Sequence, residues 1–159
     1  MNLKKIIIAL GLVLLIASGN AYSQYYSSAV GARLGNASGL TGKVLMGKRT
    51  YLEGMFTARW DGFNITALVE VAQTLPDTPG LGWYYGAGAN IGFWDDPNDN
   101  ETDTELNLGA DGILGMEYTF EDLPINIAID WKPYFILITN PRFEFDEFAL
   151  SVRYVISHR

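Results

Sequence analysis

The sequence predicts an all-β chain: an eight-stranded antiparallel up-and-down transmembrane barrel behind a cleaved signal peptide. Three observations predict it. Between residues 106 and 132 apolar and polar side chains alternate with a period of two on two arms, with a short break at residues 121–124. The polar parity of that stretch carries ionisable residues in mid-strand: Asp111, Glu117, Asp130 and Lys132. The first 23 residues read as a leader: Lys4 and Lys5, the apolar run Ile6 to Ile16, then small residues to Ser23. Period two means strand, because successive side chains of a pleated chain point to opposite faces. An apolar face opposed by a charged, small-residue face suits a wall with lipid outside and an enclosed interior.

The leader's apolar run of 11 residues is shorter than the roughly 20 a membrane-crossing helix needs. Ala21 and Ser23 place small residues at −3 and −1, so cleavage is expected after Ser23, with Ala21 the second choice. The chain then divides into 1–23, the signal, and 24–159, one barrel domain.

The strands follow in order. In the first, Ala29 to Leu34, Val30, Ala32 and Leu34 oppose Arg33; residues 36–39 turn the chain. The second, Leu40 to Met46, sets Leu40, Val44 and Met46 against Thr41 and Lys43, and Lys48 and Arg49 form a turn. The third, Tyr51 to Trp60, sets Leu52, Phe56, Ala58 and Trp60 against Glu53, Thr57 and Arg59. Asp61-Gly62 follows, a dipeptide that favours a two-residue hairpin. The fourth, Phe63 to Val71, opposes Phe63, Ile65, Ala67, Val69 and Val71 to Asn64, Thr66 and Glu70. After the Leu75 to Gly80 turn, the fifth alternates Trp83, Tyr85, Ala87, Ala89, Ile91 and Phe93 with Gly82, Tyr84, Gly86, Gly88, Asn90 and Trp94. The acidic stretch Asp95 to Glu105 is the longest loop. Strands six and seven are the opening pair, and Pro133 beyond Lys132 marks either a bulge or the end of the wall. A loop over Thr139 to Asp146 leads to the eighth strand, where Phe148, Leu150, Val152, Tyr154 and Ile156 oppose Ala149, Ser151, Arg153 and Val155.

The polar parity collects ten ionisable residues: Arg33, Lys43, Arg59, Lys132 and Arg153, with Glu53, Glu70, Asp111, Glu117 and Asp130. Five of each sign describe a neutral, sealed interior rather than a selective pore, since an unpaired enclosed ion costs several kcal/mol. Arg59 is the expected partner of Glu70, by proximity across the Asp61-Gly62 hairpin. On the apolar parity, Trp60, Phe63 and Phe93, with Phe148, lie near one end of their strands. Trp83, Tyr118, Phe120 and Tyr154 lie near the other. Two aromatic girdles around an aliphatic band fit two lipid–water interfaces. A soluble secreted or periplasmic barrel, its apolar parity lining a cavity for a small apolar ligand, is the alternative. A narrow conduit is another.

Composition excludes further classes. There is no Cys, so a lipid-anchored form, a disulfide and a thiolate metal site are excluded. Loss of Lys4 and Lys5 takes the formal charge from −7 to −9, which argues against nucleic acid, whose binding depends on neutralising phosphates. No cofactor is expected. The single His, His158, lies past the last expected strand, so nucleophilic or acid–base chemistry lacks its usual base and no enzyme is expected. The Asp95 to Glu105 loop lacks the spacing and central Gly of a calcium-binding EF-hand, and reads as solvated.

The segments GWYYGAGANIGFWD (82–95), GADGILGMEYTF (109–120) and PINIAIDWKPYF (124–135) resemble small outer-membrane β-barrel proteins of Gram-negative bacteria, of the outer membrane protein X or OmpA transmembrane-domain type. The resemblance covers the mature chain in layout and implies membrane lipid as the surroundings. It also implies insertion by the barrel-assembly machinery, guided by the last strand. Ser157-His158-Arg159 departs from the aromatic terminus usual there. An even strand number puts both termini in the periplasm and the 61–62, 95–105 and 139–146 connections outside. The role expected of such a barrel is structural, or one of surface interaction through those loops. If the acidic loop is only solvated, replacing Asp95, Asp96, Asp99 and Asp103 with Asn leaves the melting temperature unchanged with or without Ca²⁺. A Ca²⁺-dependent rise that the mutant loses would reveal a metal site.

Overall fold

The computed structural model describes residues 26–59, 62–95, 104–138 and 141–158. The leader, Trp60 and Asp61, and the acidic loop over 96–103 lie outside the described residues. Ten strand segments run in order: β1 (Tyr26–Gly35), β2 (Ser38–Leu45), β3 (Thr50–Arg59), β4 (Gly62–Thr74), β5 (Leu81–Asp95), β6 (Thr104–Thr119), β7 (Ile125–Trp131), β8 (Tyr134–Ile136), β9 (Arg142–Glu144) and β10 (Phe148–His158). They build eight walls. β7 pairs with residues 114–119 of β6 and β8 with residues 109–111, so the two are one wall interrupted at Lys132-Pro133. β9 pairs with β8 and leads into β10, which pairs with β7, so these form the eighth. β1 pairs with β10 and β5 with β6, and every wall has two neighbours. The antiparallel ring is closed.

Each expected strand is present, with differences that have physical causes. β1 starts earlier, at Tyr26, across a register irregularity between Tyr26 and Ala29 that hides its alternation. β4 and β10 run on past Val71 and Ile156, because their partners β5 and β1 supply ladder bonds there. Within the expected loop over 139–146, Arg142–Glu144 is a strand: it folds back on Tyr134–Ile136. Pro133 is a bulge, not the end of its wall. It has no N–H to give, but its carbonyl accepts from Gly112 N at 2.9 Å, while Lys132 N donates to Glu147 O at 2.8 Å. His158 lies within β10, paired with Tyr26, and not beyond it.

The register gives the tilt. From Arg33 the cross-strand row runs one way through Gly39 and Thr57 to Asn64 on β4. Run the other way, through Ser151, Ala128, Glu117 and Gly82, it reaches Thr74 on the same strand. The stagger is thus ten residues around eight walls, which with ordinary strand rise and spacing means a tilt of about 40°. A barrel of eight strands leaves an interior that side chains fill.

The apolar parity points outward on all eight walls. Leu34, Leu40, Val69, Leu114, Ile129, Leu150 and Ile156 are exposed, whereas Arg33, Lys43, Glu53, Glu70 and Arg153 are 0% exposed. A soluble barrel lined by its apolar residues would have the opposite phase. At the two ends the outward aromatics contact one another. Phe63 stacks on Phe93 at 4.9 Å and leans on Phe56 at 5.7 Å, and Phe148 faces Trp131 at 6.4 Å. At the other end Trp83 stacks on Tyr85 at 5.4 Å, Tyr118 meets Phe120 edge-on at 4.9 Å, and Tyr154 is exposed.

Candidate functional site

Among the described residues, charged groups converge in the interior, and strand parity puts them there. Odd-numbered residues of β1, β2 and β3 and even-numbered residues of β4 face inward, and the phase carries on around the ring. Of the ten ionisable residues on the polar parity, Arg33, Lys43, Glu53, Glu70, Asp111, Glu117, Asp130, Lys132 and Arg153 are buried. Arg59 is not. It is half-buried at the outer rim, where its Nε donates to the Asn36 carbonyl at 3.3 Å. It does not pair with Glu70, whose partner is Lys43 at 2.7 Å. Glu147 joins the set: it is buried and lies 3.2 Å from Lys132 and 3.5 Å from Arg33. Among the described residues the enclosed groups are therefore four bases and six acids, rather than five of each.

They form two clusters. Nearer the chain termini, Lys43 approaches Glu70 (2.7 Å), Glu117 (3.6 Å) and Glu53 (4.0 Å). Arg153 holds Glu53 at 2.5 Å and donates to Asn126 Oδ1 at 3.2 Å, and Thr41 also donates to Glu53. Tyr26 and Asn126 both donate to Glu117 Oε2, at 3.0 and 3.2 Å. Nearer the loops, Arg33 holds Asp130 at 2.7 Å, Lys132 holds Asp111 at 2.9 Å, and Glu147 spans the two bases. Asn90 donates to the second oxygen of Asp111 at 2.6 Å. Each cluster thus sets two bases against three acids.

Tyr84 joins them. Its hydroxyl donates to Asp130 at 3.1 Å in one cluster, while its ring lies 3.8 Å below the Lys43 ammonium of the other, a desolvated cation–π contact. The ring has room because its cross-strand partner is Gly115. A Cβ there would lie 2.5 Å from the Tyr84 ring and 2.8 Å from the Asp130 Cβ. Met55, Leu68 and Ile113 fill the remaining space. At the rim a cavity of about 10 Å³ among Thr57, Arg59, Asn64, Tyr134 and Glu147 has room for about one water.

Sequence reasoning had Tyr84 on the inward face but missed Tyr26, Tyr51, Tyr134 and Glu147. Tyr51 shares the parity of Glu53, and Glu147 that of Ser151 and Arg153, so parity alone could have found both. Tyr26 sits beyond the register irregularity and left no such signal. Of the girdle residues, Phe63, Phe93, Trp83, Tyr118, Phe120 and Tyr154 stand on the outer face, and Trp60 lies outside the described residues. The same holds for the side chains of Trp94 and Glu105 and for the acidic loop. Among the described residues no group of three metal-ligating side chains is arranged to hold a metal ion.

The fold and this interior define a class: a closed, eight-stranded, all-antiparallel barrel with its polar residues inside. No protein-family model matches the chain, and no curated protein sequence does. Among solved structures it is similar to the N-terminal β-barrel domain of Pseudomonas aeruginosa OprF, with a TM-score of 0.65 at 15% identity. The match covers 82% of this chain and 98% of that domain. The likeness is one of fold.

The unequal clusters make an asymmetric prediction. Lys43→Met leaves three carboxylates around one arginine and costs about 3–5 kcal/mol, as expected when a buried pair loses one partner. Glu70→Gln leaves two bases against two acids and costs about 1 kcal/mol, in the range of one lost hydrogen bond. The double variant recovers part of the Lys43→Met loss. Denaturant titration of refolded protein checks the order, and equal losses would contradict this assignment of partners.

Proposed function

We propose that the protein is an integral outer-membrane β-barrel of the outer membrane protein X or OmpA transmembrane-domain type. In this reading it is exported by the leader, cleaved after Ser23, and has a structural or surface-interaction role. One observation carries it: polarity is inverted, with ion pairs inside and an aliphatic band bounded by aromatics outside. A face of that size is not left to water, and a closed barrel is one of two structures that satisfy every backbone group in lipid. Both termini lie at one end of the barrel, so the periplasm takes that end and the longer connections face outward. The last strand, Phe148–His158, is the segment the barrel-assembly machinery would engage.

The interior favours a wall over a conduit. Bases and carboxylates meet inside the lumen at both levels, with Tyr84 between them, and their geometry serves packing rather than chemistry. The reading assigns the protein no catalysis and no cofactor.

Membrane fractionation tests it. The protein is expected to stay with the membrane through salt and alkaline washing, and to migrate faster on a gel unboiled than boiled. Release of folded protein without detergent would sink the reading. A charge on the lipid face adds a graded test. Ile129→Lys, in the middle of the outer band, costs about 2–4 kcal/mol in a bilayer, whereas a solvated position would change by less than about 0.5 kcal/mol.

A further inference from the structure

The rim of the barrel is uneven at its outer end. β1 stops at Gly35 and β2 begins at Ser38, whereas β5 runs to Asp95 and β6 begins at Thr104. The stagger adds to the difference. The row Arg33–Gly39–Thr57–Asn64–Gly92–Asn107 climbs about 3 Å per strand at a tilt near 40°. The Asn36-Ala37 connection therefore lies about 12 Å below the end of β5, and about 5 Å below the level of Phe63 and Phe93.

The result is a notch cut into the apolar band. A cavity of about 300 Å³ opens there, lined by Gly35, Asn36, Ser38, Ala58 and Arg59. On its far flank the Asp146 carbonyl accepts from the Asn36 side chain, and Phe145 and Phe148 are exposed beside it. Below it Leu34, Leu40 and Phe56 are exposed on the outer face. Arg59 uses Nε on the Asn36 carbonyl. Among the described residues no carboxylate lies within ion-pair distance of its guanidinium. The other described base at this end, Arg142, is paired with Glu144 at 2.7 Å.

If the barrel spans a membrane, as the reading above holds, the notch opens below the aromatic level, and Arg59, although on the inward parity, lines it from the rim. Polar groups that meet the bilayer at that depth are satisfied by a partner that comes from the bilayer or through it. A guanidinium presents a planar fork that matches two oxygens of a phosphate. Aliphatic and aromatic side chains directly below supply a surface for acyl chains. We propose that the notch seats the headgroup phosphate of an outer-leaflet lipid, with Arg59 as its cation and Leu34, Leu40 and Phe56 against its chains.

Native mass spectrometry of the detergent-purified barrel, offered equal amounts of phosphatidylglycerol and phosphatidylcholine, tests this. The wild type is expected to retain phosphatidylglycerol about tenfold over phosphatidylcholine, the scale of one charge-assisted contact. Arg59→Gln is expected to abolish the preference and Arg59→Lys to keep part of it. Lys48→Gln and Arg49→Gln, at the opposite end, are expected to keep all of it. Undiminished preference in an Arg59→Gln barrel that still shows the heat-dependent gel shift overturns the proposal by itself. Full displacement of the lipid by excess inorganic phosphate overturns the lipid assignment in favour of a free-anion site. A wild-type barrel that never shows the gel shift fails the membrane reading first.

Discussion

Closure of the sheet with a stagger of ten residues is the constraint on which the rest depends. An open sheet of these strands would present two unpaired edges, and none of its walls would be protected by a helix or a second sheet. Joining β1 to β10 removes the edges at once. It also decides which parity is inside, how wide the interior is, and how the rim rises and falls. The ladder holds through Pro133 because its carbonyl is used where its nitrogen cannot be.

Closure then forces the enclosed bases to find carboxylate partners inside. Lys43, Arg153, Arg33 and Lys132 have no access to water, so each must be met by carboxylates from walls far apart in sequence. Arg153 of the last strand holds Glu53 of the third, and Arg33 of the first holds Asp130 of the seventh. Such contacts tie together walls two and three places apart around the ring and so help to specify the strand order. Tyr84 couples the two levels through one hydroxyl and one ring face, which a Phe could only half replace. These pairs are better regarded as specifying one arrangement than as a large source of stability, since burying the ions offsets much of their attraction.

The fold was legible in the sequence because alternation is a local property. Leu106 to Lys132 carries parity, turn and strand length within a few dozen residues, and the other walls repeat that form. Strand ends were less legible: the extra residues of β4 and β10 are strand because their neighbours β5 and β1 provide partners there, not because of their own sequence. Arg142–Glu144 lay hidden for the same reason. The interior was legible as a set of residues but not as a set of contacts. Proximity across the Asp61-Gly62 hairpin pointed Glu70 at Arg59, yet Arg59 pairs with Gly62 at the rim, Glu70 lies opposite Tyr51 far down the same ladder, and the stagger brings Lys43, two walls away, to Glu70. Glu147 was missed because a loop was expected to end one residue before it, although its parity matches that of Arg153.

The account's central claim is that apolar residues face lipid while the alternate residues are sealed inside. The chain has no cysteine, so single cysteines can be placed along β10 and spin-labelled without interference. With the protein in bilayers, collision with dissolved oxygen should be high at Leu150, Val152 and Tyr154. It should be low at Ser151 and Val155, with a period of two along the strand. A reversed phase, or labels at Leu150, Val152 and Tyr154 that collide with a water-soluble nickel reagent instead, would contradict the account.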